Sequence, residues 1–228
     1  MTVSKNPDEI KKMFNKIASK YDFNNNIISL GLHKLIKKLV LKNLTIKNNS
    51  RILDECTGTG DIPYYLNKMN SHTQIIGIDF SEKMIEKARE KHPNLTFLEG
   101  DCTNLPFQNN SFDIITMCFG LRNIEDYSKA IKESFRVLED SGELLYLDFG
   151  EKSIFSDIFD FIACIATKIL YGKNTPYEYL VKSKREFFTP KNLIQEFEKE
   201  GFILKMRKDY LFGIISMQIY EKTKTAYC

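Results

Sequence analysis

The residues of this chain best suited to chemistry sit in one short stretch, Asp54-Glu55-Cys56-Thr57-Gly58-Thr59-Gly60-Asp61. A short apolar run leads into it and a helical pattern carrying Pro63 leads out. That order reads as strand, tight turn and helix start, the place where open α/β sheets bind ligands. Glycine suits such a turn, because backbone without a Cβ takes unusual φ and lets a ligand lie close. A glycine-rich turn can also be purely structural, and a lone G-x-G says little. What lifts this one is a second acid, Asp79, at the end of the next apolar run, residues 74–79. A carboxylate there suits a ribose, whose two hydroxyls are donors that it can accept from.

The identity of the nucleotide follows from what the turn lacks. A dinucleotide turn reads G-x-G-x-x-G, with the third glycine packing helix on strand and the helix N-terminus holding a pyrophosphate. Here Gly58 and Gly60 supply two glycines, the third position is Pro63, and Asp61 puts negative charge where a pyrophosphate would sit. A cofactor without phosphates, carrying a sulfonium and an ammonium, fits an acid-lined turn better. S-adenosylmethionine is that cofactor, with S-adenosylhomocysteine as its product; Asp54, Gly58, Gly60 and Asp79 are its first candidate contacts. After the third candidate strand, Gly100-Asp101-Cys102 offers the Asp101 carboxylate to an adenine amino group and the Cys102 backbone to complete that edge. The alternative for Asp101 is a plain turn before Leu105-Pro106-Phe107. The fourth strand ends in Met117-Cys118-Phe119-Gly120-Leu121-Arg122-Asn123. Strand ends on that edge face the crevice, so Cys118 would touch the cofactor while Arg122 and Asn123 lie beyond it, toward an acceptor. A surface salt bridge from Arg122 to Glu125 or Asp126 is the competing expectation.

The elements that must hold these residues are legible as apolar periodicity. Strand candidates are 51–54, 74–79, 95–98, 112–118 and 143–149, with helices centred on 62–69, 82–91 and 126–138. This alternation predicts a mostly parallel sheet with helices on both faces. Ser81 is placed to cap the second helix. Before the sheet, Ile10, Met13, Phe14, Ile17 and Tyr21 repeat at helical spacing. Leu32, Leu35, Ile36, Leu39 and Val40 do so again, with Lys34, Lys37, Lys38 and Lys42 outside. Asp22-Phe23-Asn24-Asn25-Asn26 reads as a break between the two helices, which would cap the sheet. After Gly150 come an apolar helix over 154–171, a polar, Tyr-rich stretch over 172–188, and a helix opened by Thr189-Pro190. Two last strands, near 202–209 and 213–221, turn at Leu211-Phe212-Gly213 and predict an antiparallel hairpin at the sheet edge. No repeat or linker interrupts the chain, which reads as one domain. Its parts are a helical cap (1–48), a cofactor core (49–150), substrate-side helices (151–200) and closing strands (201–222).

Composition bounds the partners. A length of 228 residues and a net charge of only +3 suit one globular core and argue against nucleic acid. The charge is uneven: residues 1–51 hold eleven Lys and Arg against three acids, a balance of +8 that leaves −5 for the rest. Either this is a solvated lysine surface or it meets an anionic one, most simply lipid head groups. Five cysteines without paired spacing read as reduced thiols of a cytoplasmic protein, and three scattered histidines suggest no metal site. The first residues are too polar for a signal peptide. Asp157, Asp160 and Lys168 interrupt 154–171, so that stretch should not span a bilayer.

The motifs together resemble the menaquinone/ubiquinone C-methyltransferases, class I S-adenosylmethionine-dependent enzymes that methylate the ring of a polyprenyl quinol. The likeness rests on Met13-Phe14-Asn15-Lys16-Ile17-Ala18-Ser19-Lys20-Tyr21-Asp22 and Ser29-Leu30-Gly31-Leu32-His33 at the N-terminal side. It continues through Thr57-Gly58-Thr59-Gly60-Asp61, Asn104-Leu105-Pro106-Phe107, Phe119-Gly120-Leu121-Arg122-Asn123, Ser141-Gly142-Glu143-Leu144 and Tyr177-Glu178-Tyr179-Leu180. It covers about residues 10–220; Glu55 departs from it where the family usually has an apolar residue, and Cys118 where serine is common. The resemblance implies a Rossmann-like seven-stranded sheet, mostly parallel with an antiparallel closing strand, plus the helical cap. It implies that Thr59, Asp79, Asp101, Cys102 and Cys118 contact the cofactor. It further implies that Arg122 and Asn123 are catalytic, stabilising a developing phenolate, and that Tyr21 and Tyr177 line the acceptor pocket with Arg122. Demethylmenaquinol is the expected acceptor, at a peripheral membrane surface, in a monomer or homodimer. Two other readings share many of these residues: a methyltransferase of another small molecule, and a non-catalytic methyltransferase-like subunit, which would be expected to lose Gly58, Gly60 or Asp79.

Overall fold

The computed structural model describes residues 5–171 and 176–223. The apolar runs of the central region become strands β1 (Arg51–Glu55), β2 (Gln74–Asp79), β3 (Thr96–Glu99), β4 (Phe112–Cys118) and β5 (Leu138–Phe149), followed by β6 (Phe202–Tyr210) and β7 (Ile215–Lys222). They form one sheet in the order β3-β2-β1-β4-β5-β7-β6. Strands β1 to β5 are parallel to one another, and β7 runs antiparallel to both β5 and β6. The closing hairpin therefore inserts its second strand between β5 and β6 and leaves β6 at the edge. The chain builds outward from β1 through β2 to β3, then returns to place β4 on the other side. This order opens a crevice at the carboxyl ends of β1 and β4.

Side chains alternate between two cores along each strand, as a pleat requires. Ile52, Ile114, Leu145 and Ile219 pack on one face with α3 (Leu32–Leu41) and α4 (Asp61–Met69). Leu53, Ile115, Leu144 and Tyr220 pack on the other with α6 (Tyr127–Val137) and α9 (Pro190–Lys199). Helix α5 (Glu82–Lys91) buries Ile85 and Ala88 against Phe97 of β3. The sequence-derived caps hold: Ser81 Oγ accepts from the Met84 N–H at 3.3 Å, and Thr189 Oγ1 from that of Asn192 at 3.3 Å.

Three expectations change. The first concerns residues 22–26, which are not a break but part of helix α2 (Tyr21–Ile28), reached from α1 (Pro7–Ile17) through one 3-10 turn. The asparagines are poor helix formers, but Asn24 is 2% exposed and Asp22 is held by Thr59 and Lys91, so tertiary contacts override propensity. Lys37, the second change, is not on the outside of α3; its side chain turns inward to Asp61. Third, the polar stretch after residue 171 contains helix α8 (Pro176–Glu186), following α7 (Ile154–Tyr171). Helix α3 thus belongs to a face of the sheet, while α1 and α2 pack on α5 and α7 and arch over the crevice. No helix among the described residues is long and apolar enough to cross a membrane.

Glu55, fully buried at the end of β1, tests how this core tolerates a carboxyl group. Ser134 Oγ lies 2.9 Å from Glu55 Oε2 and 2.9 Å from the Ala130 carbonyl oxygen. A hydroxyl has one proton, so both contacts are satisfied only if Glu55 is itself the donor. Burial pushes its pKa up, from 4.5 to about 8, in keeping with a protonated side chain. A group whose folded pKa is raised contributes stability below its unfolded value and loses it as pH rises through the folded one. Wild-type stability should therefore fall between pH 4.5 and 8. Glu55→Gln should flatten that fall, so that melting temperatures followed by circular dichroism favour the variant increasingly from pH 5 toward pH 8. An advantage that does not widen with pH would mean that Glu55 is ionised in the fold.

Candidate active site

The crevice is shaped by two residues that take left-handed backbone just past the central strands. Cys56 follows β1 with φ +55° and Phe119 follows β4 with φ +60°. Neither is glycine, so each conformation is held against a steric cost of about 1–3 kcal/mol by its surroundings. The Phe119 N–H donates to the Leu147 carbonyl at 2.7 Å, and its own carbonyl accepts from Arg122 Nη1 at 2.9 Å and Asn123 Nδ2 at 3.3 Å. Gly120 lies against Cys56 so closely that a Cβ there would sit 2.4 Å from Cys56 Cβ. Past this contact the two chains diverge and leave a cavity on each side.

The first cavity, about 280 Å³, is lined by Gly58, Asp79, Phe80, Asp101, Cys102 and Asn123 among others. Asp79 is anchored by two backbone donors, the Gly58 N–H and the Ser81 N–H, both at 2.9 Å. Burial nevertheless raises its pKa, to about 6. Gly58, at φ +56°, has no neighbour nearer than the Tyr21 ring to where a Cβ would stand, which keeps the floor of the cavity open. The second cavity, about 320 Å³, has Tyr21, His33, Lys37, Asp54, Arg122 and Phe149 on its walls. Tyr21, Cys56, Gly58, Cys118 and Phe119 border both cavities.

The residues expected at a cofactor are thereby divided. Gly58, Asp79, Asp101, Cys102 and Cys118 line the first cavity. Asp54 and Thr59 line only the second, and Gly60 lines neither, serving as the left-handed residue, φ +82°, that starts α4. Arg122 and Asn123 are also separated. They occupy a 3-10 turn, Leu121–Asn123, in which successive side chains are about 120° apart. Arg122 consequently faces the second cavity and Asn123 the first. Tyr21 is central to both, while the side chain of Tyr177 lies outside the described residues. Phe80, Met84, His33 and Lys37 line the cavities without having been singled out as contacts. Phe80 could have been found as the apolar residue next to the strand-end acid; Lys37 lies one turn from His33 on the same face of its helix.

Charge in the second cavity is arranged in pairs. Arg122 makes neither of the surface bridges considered for it; Nη1 donates to Asp148 Oδ1 at 2.6 Å, with both side chains almost fully buried. Asp148 also accepts from the Tyr146 hydroxyl at 3.0 Å and the Phe149 N–H at 2.8 Å. Asp61 bridges Lys37 and Lys91, each at 3.1 Å, and Lys91 reaches on to Asp22 at 2.6 Å. Asp22 in turn accepts from the Thr59 hydroxyl at 2.6 Å. Asp54 accepts from the Thr116 hydroxyl at 2.6 Å, and burial raises its pKa to about 7. His33 is pulled down to about 4 by burial and is a neutral ring, 2.6 Å from Ser29 Oγ.

The strand order and the divided crevice define the Rossmann-like methyltransferase fold. Solved structures share it at low identity. A SAM-dependent methyltransferase from Aquifex aeolicus aligns with a TM-score of 0.67 and 19% identity, covering 91% of this chain and 97% of that one. Another from Thermotoga maritima gives 0.69 and 21%, with coverage of 93% and 99%. Sequence comparison is more specific. A demethylmenaquinone methyltransferase from Staphylococcus haemolyticus is 36% identical over 229 aligned positions, 96% of each chain. One from Staphylococcus aureus is also 36% identical, over 96% of this chain and 95% of its own. Residues 1–222 match the family profile throughout, and this chain belongs to the ubiE/COQ5 methyltransferase family.

The Arg122–Asp148 pair makes a direct stability prediction. Removing one member of a buried ion pair leaves the other charge uncompensated, at a cost of ~3–5 kcal/mol. Asp148→Ala should lower the urea-unfolding free energy by about that amount, and Arg122→Met combined with Asp148→Leu should recover most of it. A single variant as stable as wild type would show that Arg122 finds another counterion.

Proposed function

We propose that this chain methylates a ring carbon of a polyprenyl quinol, demethylmenaquinol first among them, with S-adenosylmethionine as methyl donor. The observation that carries the reading is the pair of cavities that share Tyr21, Gly58, Cys118 and Phe119, one lined by Asp79 and Asp101 and the other largely apolar with both cations and acids on its wall. The demethylmenaquinone methyltransferases at 36% identity favour the naphthoquinol over other acceptors. We read the whole chain, cap to closing strands, as one catalytic unit.

The residues of the first cavity fit the donor. Asp79 offers carboxylate oxygens to ribose hydroxyls, and Asn123 Oδ1 is a buried acceptor without a partner among the described residues, suited to an ammonium. Asp61, at the first turn of α4, opposes a pyrophosphate there. When bound, S-adenosylmethionine supplies a methyl group on a positive sulfur, which leaves as a neutral thioether. The protein's share lies with the acceptor. A ring carbon attacks only when a neighbouring hydroxyl is ionised or nearly so, and a phenol near pKa ~10 is neutral at pH 7. Arg122, whose buried Nε has no partner among the described residues, serves as an oriented N–H donor to a quinol oxygen. It does not take the proton, since a guanidinium titrates above ~12; water does. Tyr21 spans the junction and Tyr177 is assigned to the acceptor side by resemblance.

The isoprenoid tail would leave past Phe212, which lines the second cavity and is 80% exposed, toward the exposed Ile158, Phe161 and Ile162 of α7. Peripheral attachment to an anionic membrane follows from this surface and from the exposed Lys38 and Lys42 nearby in sequence to the apolar Leu35 and Leu39. Fewer lysines are available than the sequence count suggested, because Lys11 and Lys37 are engaged by Glu99 and Asp61. A homodimer would bury the same apolar surface, which sedimentation velocity reads directly.

Calorimetry with S-adenosylhomocysteine, followed by methylation assays on naphthoquinol and benzoquinol, tests the function. The expected result is tight binding and transfer to the naphthoquinol; transfer to neither ring refutes the reading. Asp79→Ala should weaken S-adenosylhomocysteine binding by ~1.5–3 kcal/mol, the worth of hydrogen bonds to a charged group. Unchanged affinity in the folded variant removes the ribose assignment. Vesicle co-sedimentation should show attachment to anionic lipid that falls with salt, because each lysine contributes up to ~1 kcal/mol within a Debye length. Equal binding to neutral lipid would leave the basic half as solvated surface.

A further inference from the structure

The fold draws the Lys37 side chain of α3 out of solvent, leaving it 14% exposed. It stands on the wall of the acceptor cavity with Tyr21, Asp54 and Cys118. Removing an ammonium from water is costly unless its charge and its donors are used. Asp61, 3.1 Å from Nζ, uses only part of both. That carboxylate is shared, since Lys91 holds its other oxygen at 3.1 Å. An ammonium has three donors, and among the described residues Nζ of Lys37 gives one, to Asp61.

The other basic groups of the cavity are differently placed. Arg122 has a carboxylate of its own, Asp148 at 2.6 Å, and the same Nη1 also supports the Phe119 carbonyl. His33 is neutral, with its Nδ1 engaged by Ser29. Lys184 donates to two partners, Asp160 at 2.7 Å and Ser156 at 3.2 Å. Among the described residues Lys37 is therefore the ammonium of this cavity with a single hydrogen-bond partner, and its counterion is divided between two lysines. Burial works against its charge, but the Asp61 carboxylate outweighs that and holds its pKa above the ordinary lysine value. It stays protonated at any pH at which the enzyme would work.

We propose that the Lys37 ammonium binds the ionised oxygen of the acceptor ring, a catalytic role that rests on the quinol reading above. The hydroxyl proton passes to water, and the oxygen left behind exchanges hydration for a fixed ammonium in a cavity of low polarity. Arg122 then orients an oxygen without lending it net charge. The groups whose charge bears on this oxygen are Asp61 from α4 with Lys91 of α5 behind it, Tyr21 and Asp22 from α2, Asp54 from β1, Cys118 from β4, and Arg122. Burial pushes Asp54 up to about 7.

The test uses the full chain with S-adenosylhomocysteine and 1-naphthol, a ring with one ionisable hydroxyl and no tail, whose phenolate is read by absorbance. On wild type the bound naphthol should ionise at lower pH than in water, and Lys37→Met should move that midpoint up by about one pH unit or more. The kcat with a short-chain naphthoquinol should fall ~10²–10³-fold, with the acid limb of the pH profile displaced upward and part of the rate restored by Lys37→Arg. Affinity for S-adenosylhomocysteine should be unchanged. Lys37→Gln, closer to the polarity of lysine, gives the same readings should the methionine variant not fold. An unchanged naphthol midpoint would make Lys37 a structural partner of Asp61 and overturn the proposal. So would loss of S-adenosylhomocysteine affinity, which would assign Lys37 to the cofactor. If wild type binds S-adenosylhomocysteine but neither binds naphthol nor methylates a quinol, the quinol reading itself fails and takes this one with it.

Discussion

The contact between Cys56 and Gly120 is the constraint from which the site follows. Strands β1 and β4 are neighbours in the sheet, so the chains leaving their ends compete for the same space. They resolve it by a glycine on one side and left-handed backbone on both, at Cys56 and Phe119. Each chain is thrown outward, and the crevice between them becomes two cavities rather than one. A side chain at position 120 would force the strand ends apart and merge or close them. The Phe119 carbonyl is held by Arg122 and Asn123, and Arg122 by Asp148 on β5. The family motif around Phe119 is thus first a device for holding a strained strand end in place.

Buried ionisable groups crowd this region, and they divide by how the fold deals with their charge. Asp148 and Arg122 cancel each other at short range, and Lys37, Lys91, Asp61 and Asp22 form a chain of alternating sign. Among the described residues Asp54, Glu55 and Asp79 make no salt bridge, and burial pushes all three upward. Such an arrangement costs stability, since apolar residues of the same size would pack these positions at least as well. It is intelligible where charges must be held ready for ligands that carry their own. Asp79, Asp101, Glu125 and Asp126 line the first cavity, and Lys37 lines the second together with Asp54 and Asp61.

The helices outside the sheet connect these cavities to the surface. Helix α2 brings Tyr21 to their junction and Asp22 to the charge chain, so the cap is part of the site. Helix α7 turns Ile158, Phe161 and Ile162 to solvent, and Phe155 stacks on Phe212 at 5.0 Å at the rim of the acceptor cavity. Apolar surface of this extent at the mouth of an apolar cavity is where a lipid-tailed molecule would enter.

Much of this was legible in the chain. Apolar runs such as Ile52-Leu53 and Ile75-Ile76 specify central strands because both faces of a parallel strand are covered, and the acids and glycines at their ends specify turns because few other residues tolerate them. Ser81 and Thr189 mark helix starts by a hydrogen bond that spans three residues. These are local interactions, written in neighbouring positions, and they place Gly58, Asp79, Asp101, Cys102 and Cys118 at one edge of one sheet. The pairings across the chain were not legible. Lys37 reads like any lysine of an amphipathic helix, and only Asp61, 24 residues on, turns it inward. The poor helix formers at 22–26 become helical because Thr59 and Lys91 hold Asp22. Arg122 finds Asp148 rather than its neighbours Glu125 and Asp126, because β5 lies beside β4 and carries that carboxylate to the crevice edge. Spacing along a helix or strand fixes which residues share a face, but the partner of a buried charge is set by which elements the sheet order makes adjacent, and that order is a property of the packed chain alone.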